Sequence, residues 1–205
     1  LKEAYGGIYV GEFKDNLAHG KGYQIETNGQ KSEGIWKNDL MNGFGKISYP
    51  DGTYQEGNFV DWTLDGQGKI RFVNSTYVGE VKEGLLDGYG KLTFDSGQFY
   101  EGNFKDDLKN GFGKETWENG DTYEGFWKDD YQHGQGTQIW KDGGRYVGNW
   151  TAGQKDGYGE YFYPNGTVYK GNWVYGLQEG KGETKFNTGD HYIGDYKNGV
   201  MNGYG

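Results

Sequence analysis

The stretch YEGFWKDDYQHGQGTQIWKDGGR, residues 123–145, decides the fold. It opens on an aromatic-x-Gly-x-aromatic unit, Tyr123, Gly125 and Trp127. Nine residues after Gly125 comes a Gly-x-Gly pair, Gly134 and Gly136, and then Trp140 and the turn glycine Gly143. The same phrase recurs along the whole chain. Its first glycines are Gly11, Gly34, Gly57, Gly79, Gly102, Gly125, Gly148, Gly171 and Gly194, spaced 23 apart except for 22 between Gly57 and Gly79. Nine units in one phase are the signature of a repeat architecture.

With the leading position of each unit as 0, positions 0, 2 and 4 read aromatic, Gly, aromatic. This period of two belongs to a strand, and so much glycine disfavours helix. After a six-residue loop (Lys105-Asp106-Asp107-Leu108 is one example), the second strand reads Gly-x-Gly-x-apolar-x-aromatic. Asn-Gly and Asp-Gly pairs such as Asn119-Gly120 close most units as turns. The third unit has Asn74-Ser75 there and is one residue short. Gly facing Gly sets the register, position 2 against 13. It then places Glu33 opposite Lys46, Glu56 opposite Lys69, Glu101 opposite Lys114 and, with both signs inverted, Lys170 opposite Glu183, as an antiparallel ladder favours. The same register puts position 3 against 12, Glu12 with Lys21 and Ile35 with Phe44. One face is then aromatic and glycine, and the other is mostly charged or polar.

Composition supports this reading. Glycine accounts for 41 of 205 residues and proline for 2, so the collagen pattern fails. Leu, Ile, Val and Phe number only 36 and the net charge is −9, values typical of disordered chains. The 18% of aromatic residues, 19 of them Tyr and 7 Trp, supply a core instead. No apolar run approaches the roughly 20 residues of a membrane-spanning helix. Zero cysteines leave no disulfide, thiolate metal site or Cys nucleophile. The acidic pI of 4.9 argues against nucleic acid.

The pattern Y-x-G-x-W/F, six loop residues, G-x-G, an aromatic and then N/D-G resembles the MORN-repeat family, over essentially the whole chain. Ser32 and Gln55 at the leading position and Val81 at the second aromatic depart from it. The resemblance implies an all-β, elongated single-layer antiparallel sheet of stacked β-hairpins, a twisted ribbon with an aromatic groove. The chain reads as one array over 1–205, with units starting near 9, 32, 55, 77, 100, 123, 146, 169 and 192. Gly6 sits at the turn position of a preceding unit and Gly205 inside a Gly-x-Gly. Both ends therefore cut a repeat, and a longer natural protein is expected.

The resemblance further implies a non-catalytic scaffold or interaction module that organises a cytoskeletal, ciliary or membrane-associated assembly. The alternative is a phospholipid-binding recruitment module, accessory to a lipid kinase or a junctional protein. The expected partners are a protein or peptide segment in the groove, a second copy through the terminal repeats, or anionic phospholipid. No cofactor, metal or nucleic acid is expected, and the location is cytoplasmic, at the cytoskeleton, a cilium or the inner face of a membrane.

Trp and Tyr dominate binding hot spots, and the tryptophans concentrate in units five to eight. The expected groove is therefore Tyr100, Phe104, Trp117, Tyr123, Trp127, Trp140, Tyr146, Trp150, Tyr163, Tyr169 and Trp173. The lysines after Gly-x-Gly, Lys46, Lys69, Lys91 and Lys114, are the candidate lipid contacts, against a plainer role paired with glutamates. His19 and His133 share one repeat position five repeats apart and do not meet at a metal. No Gly-x-Gly carries a phosphate-loop spacing, and no asymmetric catalytic constellation stands out.

Overall fold

The computed structural model describes residues 2–4, by their backbone, and residues 7–204. The readings that involve Leu1, Gly6 and Gly205 lie outside the described residues. The described residues form antiparallel β-strands and turns with no helix. Consecutive strands pair as a meander in a single open sheet layer. The chain divides into two compact units, Leu1–Asp95 with Phe104–Asp107, and Ser96–Asn103 with Leu108–Gly205.

Each hairpin is built the same way. In the second unit, strand Thr122–Lys128 pairs with Tyr131–Ile139, and Gly125 faces Gly136. Neighbouring hairpins meet on the same glycines, Gly113 against Gly125 and Gly136 against Gly148. A continuous ladder of glycines therefore crosses the strands. In the first unit Gly11, Gly22, Gly34 and Gly45 do the same.

The ladder exists because the leading tyrosine lies on it. The Tyr123 ring runs along its own strand over Gly125 and Gly136, and a methyl group on either would overlap it. Its hydroxyl donates to the carbonyl of Phe126 at 3.0 Å. Tyr9, Tyr77, Tyr100, Tyr146, Tyr169 and Tyr192 repeat that bond at their own position 3. The bond lies where the hairpin shifts register. Phe126 alone separates the paired Gly125 and Trp127, whereas His133, Gly134 and Gln135 separate their partners. The bulge turns Gly134 to a φ of 63°, a region that favours glycine. The two glycines of the Gly134-Gly136 pair therefore answer different needs, positive φ at the first and room beneath a ring at the second.

The second aromatic links hairpins. Trp150 meets its own Tyr146 at 5.2 Å and the preceding Tyr123 at 5.4 Å, both edge-to-face. Its indole N–H donates to the Gly136 carbonyl at 3.4 Å. Trp36, Trp127 and Trp173 reach Gly22, Gly113 and Gly159 in the same way. Edge-to-face ring pairs are each worth about 0.5–1.5 kcal/mol beyond burial, so the interlocked rings bind one hairpin to the next.

Two expectations change. The glycine register holds, with Glu33 opposite Lys46 and Lys170 opposite Glu183. However, position 3 does not face position 12 within a hairpin, because the bulge intervenes. Ile35 faces Lys21 of the preceding hairpin instead, and the Glu12 carboxylate accepts from the Lys21 backbone N–H. The six-residue loop is a two-residue turn. Asp106 and Asp107 have φ of 48° and 68°, the geometry of a type I′ turn, and the strands run to its edges. Asp107 then accepts from the N–H of Leu86 in the previous hairpin, as Asp39 does from Ala18. The second face is mostly charged or polar, as expected, with aromatic residues set among those groups. Phe44, Tyr89, Phe112, Phe126 and Tyr158 stand half exposed on it, Phe112 and Phe126 edge-to-face at 5.6 Å.

The departures from the motif are compensated locally. Where Ser32 and Gln55 replace the leading tyrosine, Met41 and Leu64 fold over the glycines, Met41 beneath Gly45 and Leu64 beneath Gly57 and Gly68. Both are fully buried. The missing residue of the third repeat is absorbed in its turn. Phe72 N–H donates to the Ser75 carbonyl, three residues on, where Trp117 reaches Asp121, four residues on. The ladder continues undisturbed, Gly68 against Gly79.

Candidate functional site

The expected groove residues separate into two sets. Tyr100, Tyr123, Tyr146 and Tyr169 are 0% exposed, and Phe104, Trp127, Trp150 and Trp173 no more than 5%. These eight are the core that joins hairpin to hairpin, and of them Trp150 also borders the cavity described below. Phe104 packs on Tyr77 in the first unit. Trp117, Trp140 and Tyr163 retain accessible surface. They stand at the ends of second strands, where each opens the closing turn. The N–H of Trp140 donates to Gly144 O, and its carbonyl accepts from Gly143 N–H.

Two further positions shape the aromatic face. Position 9 pairs with the second aromatic and position 15 with the leading residue. In the first unit they are filled by Ala18, Met41, Ile47, Leu64, Ile70 and Leu86, all buried, by the half-buried Leu92, and by one polar residue, the buried Gln24. In the second unit the same places hold Lys109 with Glu115, Gln132 with Gln138, Lys155 with Tyr161, and Gln178 with Thr184. Apart from Gln24, one unit therefore carries an aliphatic filling, and the other a row of polar groups against the tryptophans.

Gln132, Gln138 and Lys155 of this row border an open cavity of about 1000 Å³. Trp117, Trp140, Trp150 and Tyr175 form its aromatic walls, and Gln98, Gln132, Gln138 and Gln154 bring amides to it. Lys155 lies on strand Gln154–Phe162, opposite Trp150 of strand Arg145–Thr151. Its Nζ lies 4.6 Å from the ring centres of Tyr161 and Trp173, 5.2 Å from Trp140 and 5.5 Å from Tyr146. Burial pushes its amine down to about 8, with no carboxylate near enough to offset it. Burial likewise raises the hydroxyls of Tyr146 and Tyr161.

Lys109 occupies the equivalent place two repeats earlier and is paired. Its Nζ reaches Glu115 at 2.6 Å and lies over the Tyr100 and Trp127 rings. Gln98 donates to the other Glu115 oxygen at 2.8 Å. Gln132 donates to Gln138 at 3.1 Å, and Gln178 to the Tyr163 hydroxyl at 3.1 Å. The first unit has a smaller cavity of about 540 Å³, walled by Trp36 and Trp62, whose rings meet at 4.9 Å. Trp62 is a turn residue at φ 71°, which its motif position did not foretell.

The lysine row lies on the other face. Lys46 pairs with Glu56 at 3.5 Å and Lys114 with Glu124 at 3.6 Å, in each case a glutamate of the following hairpin. The Lys69 ammonium is 5.8 Å from the Tyr54 ring. Lys91 also has a partner. The row is thus interleaved with acids. Among the described residues no three His, Asp or Glu side chains cluster to hold a metal.

Reading the repeat for its shared residues alone hides Lys109, Gln132, Lys155 and Gln178. The sequence signal was available at positions 9 and 15, where residues that are apolar up to Leu92, except Gln24, give way mostly to polar ones.

Comparison with known proteins completes the picture. No curated protein sequence matches this chain. Among solved structures, similarity extends to the microcephaly protein CPAP G-box domain, at 14% identity and a TM-score of 0.46, over 87% of this chain and all of that one. The Danio rerio CPAP TCP10 domain in complex with a peptide of STIL shows 18% identity and a TM-score of 0.33, over 92% and 94%. The Drosophila melanogaster SAS-4 TCP domain in complex with a proline-rich motif of Ana2 shows 15% and 0.35, over 86% and 84%. Likeness this distant carries no conclusion about function. The MORN repeat profile matches residues 9–30, 33–54, 77–99, 100–122, 123–145, 146–168, 169–191 and 192–205. With most of its length so matched, the chain belongs to the MORN-repeat family.

Proposed function

We propose that this chain is a non-catalytic interaction module and that its second unit binds a protein segment in the cavity walled by Trp117, Trp140, Trp150 and Tyr175. The observation that carries this reading is the cavity itself. It is about 1000 Å³, open along one side, and combines aromatic walls with amide side chains. Aromatic walls hold apolar side chains, and amides can both donate to and accept from a peptide backbone. The finer reading, that the bound partner places the module in a cytoskeletal, ciliary or membrane-associated assembly, rests on family resemblance. The phospholipid alternative draws less support, because the lysine row is interleaved with glutamates.

The test uses the accessible tryptophans. Trp127 and Trp150 are core residues, so alanine at either would probe folding before binding. Trp117→Ala with Trp140→Ala removes cavity wall at the turn ends. Proteins captured by the native chain and lost by this variant, at an unchanged melting temperature, would be mapped to a synthetic segment. That segment is expected to bind in competition with the full partner. Equal capture by both forms would refute the assignment to this cavity.

A further inference from the structure

We propose that Lys155 is the anion receptor of this cavity, placed to form an ion pair with an aspartate or glutamate side chain of the bound segment. The inference rests on the reading that the cavity takes a peptide, and adds the chemistry the peptide must carry.

The chain contains its own comparison. Lys109 and Lys155 hold the same repeat position, two repeats apart, on the same aromatic face. Each stands over the rings of a leading tyrosine and of the following hairpin's tryptophan, Tyr100 and Trp127 for one, Tyr146 and Trp173 for the other. At Lys109 the neighbouring position 15 is Glu115, a 2% exposed residue whose carboxylate completes the site at 2.6 Å. At Lys155 that position is Tyr161, a ring without an acid. The arrangement that satisfies one lysine internally is therefore left without its anion at the other, and the second opens into the cavity.

Neighbouring groups do not supply the anion. Asp121 also borders the cavity, but its carboxylate accepts from the Lys141 backbone N–H at 2.8 Å and from the Asn119 amide at 2.8 Å. Glu118 stands exposed at the turn. Four rings around Nζ stabilise the cation partially. A carboxylate brought by a ligand would add a charge-assisted hydrogen bond in surroundings of low polarity, where it is strongest. The chain as a whole carries −9, so recognition would come from this contact rather than from a long-range field.

The experiment is selection of a random dodecapeptide phage library on the native chain, on Lys155→Met, on Lys155→Arg, and on the Trp117→Ala/Trp140→Ala variant. Peptides selected by the native chain and by Lys155→Arg should share an Asp or Glu at a fixed place. Those selected by Lys155→Met should lack it. Amidating the acid (Asp→Asn or Glu→Gln) in a selected peptide is expected to weaken binding to the native chain roughly tenfold or more, and to Lys155→Met less than about twofold, the pattern of a directly coupled charge pair. Cavity-dependent peptides with no acidic preference, or equal loss on both proteins, would overturn the role of Lys155 while leaving the peptide reading intact. No peptide distinguishing the native chain from the tryptophan variant would overturn both. Lys155-dependent capture by phosphatidylserine–phosphatidylcholine vesicles, with no peptide selected, would assign the amine to a lipid headgroup and refute the peptide proposal.

Discussion

Replacing Lys155 by methionine is expected to make the ligand-free protein more stable. The native ammonium sits among four rings, and burial takes its pKa from 10.5 to about 8. At about 1.36 kcal/mol per pKa unit, that difference sets an upper bound of about 3 kcal/mol on the penalty of keeping the charge. Solvent screening on the open side of the cavity reduces the figure to about 1–2 kcal/mol. Methionine keeps the length and apolar stem of the side chain and gains sulfur–aromatic contact. For a chain of this size each kcal/mol moves the melting temperature by about 2–4 °C, so an increase of roughly 2–8 °C is expected.

The pH dependence gives a sharper test. The folded-state pKa lies below the unfolded one, so the unfolded chain binds more protons between about pH 8 and 10.5, and native stability rises through that window. The advantage of the methionine variant is therefore complete below about pH 8 and fades above it. Tyr146 and Tyr161 face the same site, but both proteins contain them and their effects cancel in the difference. Calorimetric melts of the two proteins from about pH 7 to 9.5 would measure this. A less stable variant at neutral pH, or an advantage indifferent to pH, would refute the reasoning.

The opposite sign is expected at the matching position. Lys109→Met strands the buried Glu115 carboxylate and should destabilise by about 3–5 kcal/mol, seen in the midpoint of urea unfolding. Gly136→Ala, whose methyl would overlap the Tyr123 ring, is expected to lower stability by about 3 kcal/mol. Gly143→Ala meets open space but sits at φ 91°, and should lower it by only about 1–2 kcal/mol in the same assay. Trp150→Ala removes a buried indole and its bond to Gly136 and should remove about 3–5 kcal/mol, with loss of near-UV dichroism on partial unfolding.

Much of the hairpin was legible in the repeat, and its limits have physical causes. The pairing of Gly34 with Gly45 follows from charge matching at Glu33 and Lys46, because opposed residues share a face. The bulge beyond Gly34 was not legible. It forms although the leading residue of that repeat is Ser32, and it recurs beyond Gly57 behind Gln55, so the tyrosine of the motif does not announce it. The aromatic stripe was legible as a stripe, but its division into core and cavity was not. Tyr123 and Trp140 look alike in sequence. Only the position of one over the glycine ladder and the other at a turn makes the first a core residue and the second a wall.

The sequence by itself determined that the chain is a strand-forming array of one motif, because period-two aromatics and glycine-bearing turns at a fixed spacing allow no other regular structure. It also determined which residues are shared by every repeat. The tertiary structure decided what the unshared residues do. Met41 and Leu64 fill the gaps left by Ser32 and Gln55, Lys109 finds Glu115, and Lys155 finds rings without an acid. Each depends on which side chains the bulge and the stacking bring within a few ångströms, and that distance is set by the packing of neighbouring hairpins rather than by any spacing along the chain.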